Sequence, residues 1–322
     1  MPWMYYRHHH AGAIRISGKD RVAFLQDLTT NDLSRLAPDQ AVLTVLPNAA
    51  GRILDLFIIL EDDDALLALA LPYRTEATLQ YLHAQRENRR TTTPLAALRK
   101  AEPNYEVTLQ DESRLWDHAC LLPGEGEPPG GLEPPRQPGY AQRFPNGSAA
   151  ISLPKALGGG LLLLSPKGVT VMMITRTHLL SEEAYHQERI RRGIPGAETE
   201  LTAEFSPFEV GLGELVALDK TDFPGRTLLA HEARNPDRGR TLAGLQADTP
   251  IHTPGAVRVE AAQVGQVTSA TQAPDAGAWA LAVVRRPHHM PGTRVTLHAY
   301  ADGTQETETD AVISAFPLGD PA

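Results

Sequence analysis

The chain has 322 residues, a net charge of −9, 42% hydrophobic residues and 21% charged residues. This composition is typical of a globular protein, and the length predicts two or three domains. Because the net charge is negative, we predict no binding to nucleic acid and no attachment to an anionic membrane. No apolar run is long enough to cross a bilayer, and the first residues lack the apolar core of a signal peptide.

The cysteine and histidine content bounds the redox and metal chemistry. Cys120 is the single cysteine of the sequence, which excludes an internal disulfide and a metal site made of cysteines alone. Neither the histidine run at 8–10 nor the acidic run at 61–64 has the ligand set of a metal site, so we predict no metal. These features predict a cytoplasmic protein in which Cys120 is a core thiol.

The first part of the chain alternates strand and helix patterns, which is typical of an α+β fold. In chain order we predict a strand over 13–16, a helix from 20 that buries Val22, Leu25 and Leu28, strands over 41–46, 53–60 and 65–71, and a helix over 75–85. Residues 123–138 are rich in Pro, Gly and Glu and predict a surface excursion without its own core. Strands over 149–153 and 161–165 follow, and 169–174 is either a strand or the approach to the next helix.

The stretch from 189 to 230 contains a helix end, a long irregular crossing and a tight turn. Ser181 has the position of a helix N-cap, and Gly193 before Ile194-Pro195 predicts the end of that helix. The turn spans 220–226, and Asp222 or Thr221 is predicted to cap a helix over 227–233. From the pattern alone, this stretch is either the wall of a site or an ordinary domain connection.

The last part of the chain has short strand patterns at even spacing, separated by Pro and Gly. They lie at 240–245, 257–260, 262–269, 278–285 and 294–299. This arrangement predicts a small β-barrel. We therefore predict an α+β domain over 1–234 and a C-terminal barrel domain over 235–322.

Short motifs stand in a definite order along the chain. They are Gly18-Lys19-Asp20 with Phe24-Leu25-Gln26 and Thr30-Asn31-Asp32, Gly51-Arg52-Ile53-Leu54-Asp55, Arg189-Ile190 with Gly193-Ile194-Pro195, Glu200-Leu201-Thr202, Pro207-Phe208-Glu209-Val210-Gly211-Leu212, Asp222-Phe223-Pro224-Gly225, Gly265-Gln266-Val267-Thr268-Ser269 and Ala280-Leu281-Ala282. In order and spacing, the chain resembles the folate-binding YgfZ-like proteins, which are relatives of the glycine cleavage T-protein, an aminomethyltransferase. The resemblance implies a ring of three subdomains around a central channel, with tetrahydrofolate or a folate derivative as ligand.

Positions that carry chemistry in these families differ here. Leu56 stands where T-proteins have an Asp near the reacting nitrogen, and Asp55 on the same strand faces the opposite side. Asp222 replaces the YgfZ-type Cys, and Arg226 replaces a Gln. Arg191 replaces the Glu that binds the pterin edge, and a guanidinium has donors only. We therefore predict weak or absent tetrahydrofolate binding and no aminomethyl transfer.

Two further interpretations concern the charged residues around Arg191. Arg189 and Arg192 are predicted to share a helix face that excludes Arg191, and all three suit a helix C-terminus. The carboxylates that remain as alternative pterin partners are Glu188, Glu198, Glu200 and Glu204.

Three hypotheses of function follow. The first is a divergent YgfZ-like protein that binds a folate-like or other anionic small molecule and assists iron–sulfur enzyme maintenance or one-carbon metabolism, with iron–sulfur proteins as partners. The second is a folate-dependent aminomethyl- or methyltransferase, against which Leu56, Arg191 and Arg74 argue. The third is a non-catalytic interaction protein. The candidate ligand-binding residues are Arg52, Asp55, Arg74, Arg191, Glu209, Asp222, Arg226 and Arg240. Arginines that line one cavity would favour a ligand, and arginines paired with surface acids would favour the third hypothesis.

Overall fold

The computed structural model describes residues 2–88, 105–169, 177–220, 222–274, 277–301 and 305–319. The chain forms two compact units, and each is described by itself. The first comprises Met1–Pro154, Gly159–His178 and Leu215–Arg226, and the second Lys155–Gly158, Leu179–Glu214 and Thr227–Ala322. The predicted domains, 1–234 and 235–322, group the residues differently and stay a prediction. Residues 170–176 lie outside the described residues, and they include most of the segment 169–174 that is predicted as a strand or as the approach to a helix. Thr221, one of the two predicted helix caps, also lies outside them.

The first unit contains most of the strands that precede residue 179 and two helices. In chain order its elements are β1 (Met4–His8), β2 (Gly12–Ser17), α1 (Arg21–Gln26), β3 (Val42–Pro47), β4 (Ile53–Asp62), β5 (Ala65–Ala70), α2 (Thr75–Asn88), β6 (Thr108–Asp111), β7 (Trp116–Leu122), β8 (Ala141–Arg143), β9 (Ala149–Ser152), β10 (Leu161–Pro166) and, at the unit boundary, β11 (His178–Leu179). One sheet has the order β3-β4-β5-β2-β6, and the other β11-β1-β7-β10-β9-β8.

The five-stranded sheet packs one face against α1 and α2. Alternate residues such as Ile14, Phe57 and Ile59 are fully buried there, which is the period of a strand with one face on a helix. The predicted stripe of α1 is wrong at Val22, which is 37% exposed. Phe24, Leu25 and Leu28 face the core instead. At 100° per residue, Val22 lies roughly 110° from the centre of that face.

The Pro/Gly-rich stretch at 123–138 packs on the core of the six-stranded sheet, which differs from the prediction of a surface excursion without a core. The stretch forms neither helix nor strand, as predicted. It nevertheless contributes to a core, because Leu132 is 5% exposed and packs with Trp3, Leu121 and Leu163. A single buried leucine anchors a segment whose composition alone indicated a coreless excursion. Cys120 lies in β7 and is buried, in agreement with the core-thiol interpretation.

The second unit consists of helices and a barrel. Its elements are α3 (Glu182–Arg192), α4 (Arg226–Arg234), which starts at the unit boundary, β12 (Arg240–Ala247), β13 (Gly255–Val259), β14 (Ala262–Gln272), β15 (Ala278–Arg285), β16 (Arg294–Ala301) and β17 (Gln305–Ser314). The six strands close in the order β12-β15-β14-β13-β16-β17. The α+β fold with a small C-terminal barrel is therefore confirmed, and within the barrel the pattern did not predict β17. In the first unit it did not predict β1, β6, β7 or β8.

Both ends of α3 follow the predicted capping. The Ser181 hydroxyl accepts a hydrogen bond of 3.1 Å from Ala184 N, and Gly193 ends the helix with a φ of 74°. Across the described ranges, no helix is both long and apolar enough to span a membrane.

Candidate functional site

Asp55 is a buried carboxylate at the start of β4, and its hydrogen bonds all go to the protein's own framework. Its Oδ1 accepts from Leu56 N at 2.8 Å and from Leu71 N at 3.1 Å, and its Oδ2 accepts from the Thr78 hydroxyl at 2.6 Å. Burial raises the pKa of Asp55 to about 6, although these hydrogen bonds and the charge of Arg74 act in the opposite direction. Asp55 thus joins β4 to the end of β5 and to α2.

A β-bulge sets the direction of the side chains beside Asp55. Leu46 pairs with Asp55 while Pro47 pairs with Ile53, so Leu54 is an extra residue in β4. Its carbonyl accepts a hydrogen bond of 3.1 Å from Arg74 Nη1. Since Asp55 shares its face with Phe57 by strand alternation, Leu56 lies on the opposite face, where it is 5% exposed.

The turn that precedes α4 packs directly on the hairpin loop that precedes β4. Gly225 has a φ of +77°, and a Cβ at this position would lie 2.4 Å from Gly51 N, so the approach requires glycine. Arg52 follows Gly51, and its backbone N–H donates to Asn48 Oδ1 at 3.0 Å. We call residues 48–56, 71–78 and 222–226 together the β4 corner. It brings five candidate residues, Arg52, Asp55, Arg74, Asp222 and Arg226, into one set of adjoining segments.

The predicted capping role of Asp222 is wrong. The helix begins only at Arg226, because Pro224 and Gly225 separate it from Asp222. The exposed Asp222 carboxylate accepts instead from the adjacent Phe223 N at 3.0 Å. Arg226 Nη2 donates to Leu218 O at 2.6 Å, which ties the end of the turn to the residues just before it.

Lys220, which the sequence analysis did not single out, anchors the start of this turn. Its ammonium donates to Thr29 O at 2.6 Å, to Asn31 O at 3.0 Å and also to Gln26 O. These carbonyls follow α1 or end it, so Lys220 caps the C-terminus of that helix. Burial lowers the pKa of Lys220 to about 8. In the sequence, only its position as the first residue of the turn 220–226 pointed to Lys220.

Two candidates of the second unit, Glu209 and Arg240, form one ion pair. Arg240 Nε donates to Glu209 Oε1 at 2.8 Å, and the Arg240 guanidinium lies 5.5 Å from the centre of the Phe205 ring. Glu209 Oε2 accepts from Ser206 N at 2.9 Å, and its side chain is 8% exposed. The pair closes the loop before α4 onto the first residue of β12.

Arg191 is engaged by a carboxylate of its own helix. It donates to both oxygens of Glu188, at 2.9 and 3.0 Å, and Arg192 donates to the same carboxylate. Residues three and four positions along a helix both reach Glu188. Arg189 and Arg192 are three positions apart on the helix, as the prediction assumed, but Arg192 shares its acceptor with Arg191 and not with Arg189.

Arg189 turns into the second unit and forms a buried polar hub that sequence reasoning missed. Its Nη1 lies 3.3 Å from Glu200 Oε2, and its Nη2 donates to the Ser269 hydroxyl at 2.9 Å. Glu200 is fully buried and also accepts from Gly196 N at 2.7 Å and from Ser269 at 2.7 Å. Three separate sequence motifs thus meet in a structural joint between α3, the following loop and β14. In the sequence, Arg189, Glu200 and Ser269 were distinguished only by their places in the ordered motifs.

The structure therefore divides the candidates between the two units. Neither of two cavities, of about 770 and 490 Å³, is lined by any of the eight predicted residues. Over the residues with described positions, no group of three His, Cys, Asp or Glu side chains is arranged to hold a metal ion.

Comparison with known proteins finds relatives in sequence and a solved structure of the same fold. No protein-family model matches the chain. A chloroplastic protein of Arabidopsis thaliana, named as a transferase, is 25% identical over 309 residues, which is 89% of this chain and 66% of that protein. An aminomethyltransferase of Saccharopolyspora erythraea is 40% identical over 110 residues, 33% of this chain and 30% of the enzyme. The chain spans less than two thirds of the length of both relatives.

Among solved structures, the glycine cleavage system aminomethyltransferase T of Bartonella henselae is similar with a TM-score of 0.72 and 17% identity. The similarity covers 98% of this chain and 86% of that one, and at this identity it concerns the fold. The shared fold, the similar relatives and the ordered motifs agree. The chain has the fold of the glycine cleavage system aminomethyltransferase T and is similar in sequence to proteins named aminomethyltransferase.

Proposed function

We propose that this protein is a divergent, YgfZ-like member of the glycine cleavage T-protein superfamily that binds a folate-like or other anionic small molecule and does not transfer aminomethyl groups. The observation that carries the proposal is the pair Asp55 and Leu56. Leu56 occupies the position of the superfamily's polar group, and leucine can neither exchange a proton nor stabilise a cation. Asp55 accepts three hydrogen bonds within the first unit and faces away from Leu56.

The charge of the β4 corner supports an anionic ligand. Three of its residues are arginines, Arg52, Arg74 and Arg226, and the charge of Arg74 acts on the buried acid Asp55. Arginine is the side chain best suited to carboxylate and phosphate groups because its donors form a planar fork. Asp222, exposed on the same turn, offers an acceptor for a polar edge of such a ligand.

A pterin ring fits these residues poorly. Arg191 stands where the superfamily supplies a carboxylate acceptor, and its guanidinium is bound to Glu188 by two hydrogen bonds. Glu200 does not replace that acceptor, since its oxygens bind Arg189, Ser269 and Gly196. We therefore assign no reaction with tetrahydrofolate to these residues and expect its binding to be weak or absent.

Two alternatives remain as outcomes of experiment. The names of the relatives favour an aminomethyltransferase, and the Asp55–Leu56 arrangement opposes it. The Arg191–Glu188 pair is the observation that favours a non-catalytic interaction protein. We propose a cytoplasmic role in iron–sulfur enzyme maintenance or one-carbon metabolism, with iron–sulfur proteins as partners. That part rests on the resemblance to YgfZ-like proteins.

A thermal-shift screen of folates and other small anions tests the proposal. A ligand at a hundred times its Kd adds about 2.7 kcal/mol to the free energy of unfolding, which is readily measured. We expect a hit whose shift is lost in Arg74→Gln and Arg226→Gln, while Arg136→Gln, a surface arginine paired with Glu133, keeps it. No hit among the anions, or the same hits in all variants, would reject the ligand site.

The second arm concerns tetrahydrofolate and catalysis. Isothermal titration calorimetry at physiological salt should give no binding in the micromolar range. A loaded carrier protein should yield no methylene-tetrahydrofolate. Micromolar binding would overturn the expectation of weak tetrahydrofolate binding. Product formation that disappears in Asp55→Asn would establish the aminomethyltransferase alternative. An unchanged activity of iron–sulfur enzymes in cells that lack the protein would reject the proposed role in their maintenance.

A further inference from the structure

The larger of the two cavities lies on the barrel of the second unit, away from the predicted candidate residues. Its volume of about 770 Å³ is within the range of small-molecule sites in proteins. Its wall is formed by β12, β15, β16 and β17, by the end of β13 and by the residues around the β14–β15 turn. All of these segments belong to one compact unit.

The registers of the barrel strands place the polar side chains of this wall on one face of the sheet. Two rows of directly opposed residues cross it. The first row, on β15, β12, β17 and β16, is Trp279, Gln246, Val312 and Arg294. The second row, on β17, β16 and β13, is Asp310, Thr296 and Arg258. Opposed residues share a face, as do residues two apart on one strand, so both rows lie on the same face. The intervening residues, such as Val295 and Ala311, fill the barrel interior, which makes this the outer face.

Two arginines of the wall are not engaged by the protein. Within the part of the chain that the structure describes, neither Arg258 nor Arg294 forms an ion pair. Arg258 Nε is enclosed and has no hydrogen-bond partner there, although buried polar atoms in native proteins usually have a partner. Arg294 is the diagonal neighbour of Asp310 in the β16–β17 ladder, a spacing that long side chains can bridge, and yet the two do not pair. Both guanidinium groups are therefore available to a ligand.

Three carboxylates in the same wall are also not engaged. Asp310 lies on β17, Asp248 directly follows β12 and Glu260 directly follows β13, and all three are exposed. Among the described side chains, none of the three accepts a hydrogen bond or forms an ion pair. The wall thus carries separate groups of both signs that do not neutralise one another by contact. A simple anion would meet the acids there, and a simple cation would meet the arginines.

We propose that this cavity binds a small zwitterion, an α-amino acid with an apolar side chain. The ammonium group of the ligand binds the carboxylates of Asp248 and Asp310, and its carboxylate binds the guanidinium groups of Arg258 and Arg294. Such charge-assisted hydrogen bonds are the strong ones, and the planar fork of arginine suits a carboxylate. One charge of each sign on the ligand complements a wall that offers free groups of both signs.

The apolar part of the wall fits the side chain of such an amino acid. Trp279 and Val312 stand on either side of Gln246 in the first row, and Val312 is 37% exposed. An aliphatic side chain that covers them leaves water, which favours binding through the hydrophobic effect. None of the eight candidate residues of the proposed function lines this cavity, so the inference goes beyond that function and does not depend on it.

Three related probes test whether both charges of the ligand are read. The full chain is titrated in a calorimeter at neutral pH with leucine, with N-acetylleucine, which lacks the ammonium group, and with leucinamide, which lacks the carboxylate. We expect saturable binding of leucine that is tighter than that of either derivative by about fivefold or more. No saturable heat with leucine, or a derivative that binds as tightly as leucine, would overturn the proposal.

Matched variants place the binding in this cavity. Arg294 and Arg285 are both exposed arginines of the barrel, and Asp310 and Glu308 are both exposed acids of β17, but only the first of each pair lines the cavity. We expect Arg294→Gln and Asp310→Asn each to weaken leucine binding by about fivefold or more, and Arg285→Gln and Glu308→Gln to leave it unchanged. Arg294→Gln should not weaken leucinamide binding, because that probe has no carboxylate. Equal effects of a cavity variant and its control would reject the site.

Discussion

Thr78 donates a hydrogen bond of 2.6 Å to the fully buried carboxylate of Asp55. This contact joins the first turns of α2 to the start of β4, across 23 residues of sequence. The other carboxylate oxygen binds two backbone N–H groups. Asp55 therefore links β4 to α2 and to the end of β5, and these hydrogen bonds account for a buried acid in this sheet.

The first prediction concerns this contact. Thr78→Val preserves the shape of the side chain and removes the hydroxyl, so one oxygen of a buried carboxylate loses its donor. We expect a loss of about 1–3 kcal/mol in the free energy of unfolding, measured with urea at neutral pH. Thr227→Val, an exposed threonine at the start of α4, is the control and should change stability by less than about 0.5 kcal/mol. Equal stability of the two variants would show that the contact is not formed.

The second prediction uses the pKa of Asp55, which burial raises to about 6 from a usual value of 3.8. A raised pKa means that the folded state binds the proton more tightly. The stabilisation is thus complete below pH 3.8 and is lost as the pH rises through 6. Asp55→Asn removes this titration, and the amide can still accept from the two backbone groups and donate to Thr78.

The measurement is the difference in unfolding free energy between wild type and Asp55→Asn at several pH values. We expect wild type to lose about 1.3 kcal/mol relative to the variant between pH 5 and pH 7. The difference cancels the contributions of other titrating groups. Parallel curves would mean that Asp55 titrates near its usual pKa and is not buried as described.

The third prediction has the opposite sign. Burial lowers the pKa of His8 and of His118 to about 4. The neighbouring histidines lower the pKa of His8 further, and the charge of Asp117 acts in the opposite direction on His118. A lowered pKa gives stabilisation that is present above the usual value of 6.5 and is lost as the pH falls through 4. We expect His118→Gln to lose less stability than wild type on acidification from pH 7 to pH 5, by roughly 1–2 kcal/mol.

Urea unfolding at both pH values measures this effect. His9→Gln, an exposed histidine just after β1, controls for the loss of a histidine. If acidification destabilises wild type and His118→Gln to the same extent, the imidazole of His118 is accessible to water in the folded state.

The sequence predicted best where the signal is local. Ser181 and Gly193 delimit α3 because capping depends on a few neighbouring residues. Five of the barrel strands are apolar runs or contain regularly spaced apolar residues, and the pattern predicts them. β17 was not predicted, because its outward residues Glu306, Glu308 and Asp310 alternate with threonines before Ala311 and Ile313. Such a strand has little hydrophobic signal until its partners are known.

Side-chain partners distant in sequence were beyond prediction. The hydrogen bond between Arg189 and Ser269 spans 80 residues, and the one between Lys220 and Gln26 spans 194. Spacing along a helix assigned Arg189 and Arg192 to one face, but Glu188 draws Arg192 to Arg191. The motifs located the residues of the hub, and only the fold shows that they bind one another.

The last prediction concerns the buried hub of the second unit. Arg189→Met removes the cation that faces Glu200, a carboxylate with no exposed side-chain surface. Removing one partner of a buried ion pair leaves an uncompensated charge, so we expect a loss of about 3–5 kcal/mol in the free energy of unfolding. Arg191→Met is the matched control on the same helix, and it should cost about 1 kcal/mol or less because Arg192 still binds Glu188.

A double-mutant cycle separates the ion pair from the loss of packing. The double variant Arg189→Met/Glu200→Gln lacks both charges of the pair, so no unpaired charge is left buried. Its loss in unfolding free energy should therefore be smaller than the sum of the two single losses by at least about 1 kcal/mol. Urea unfolding followed by circular dichroism gives all four free energies. Additive losses would mean that Arg189 and Glu200 contribute independently, and then the joint between α3 and β14 would depend on the hydroxyl of Ser269 and on apolar packing.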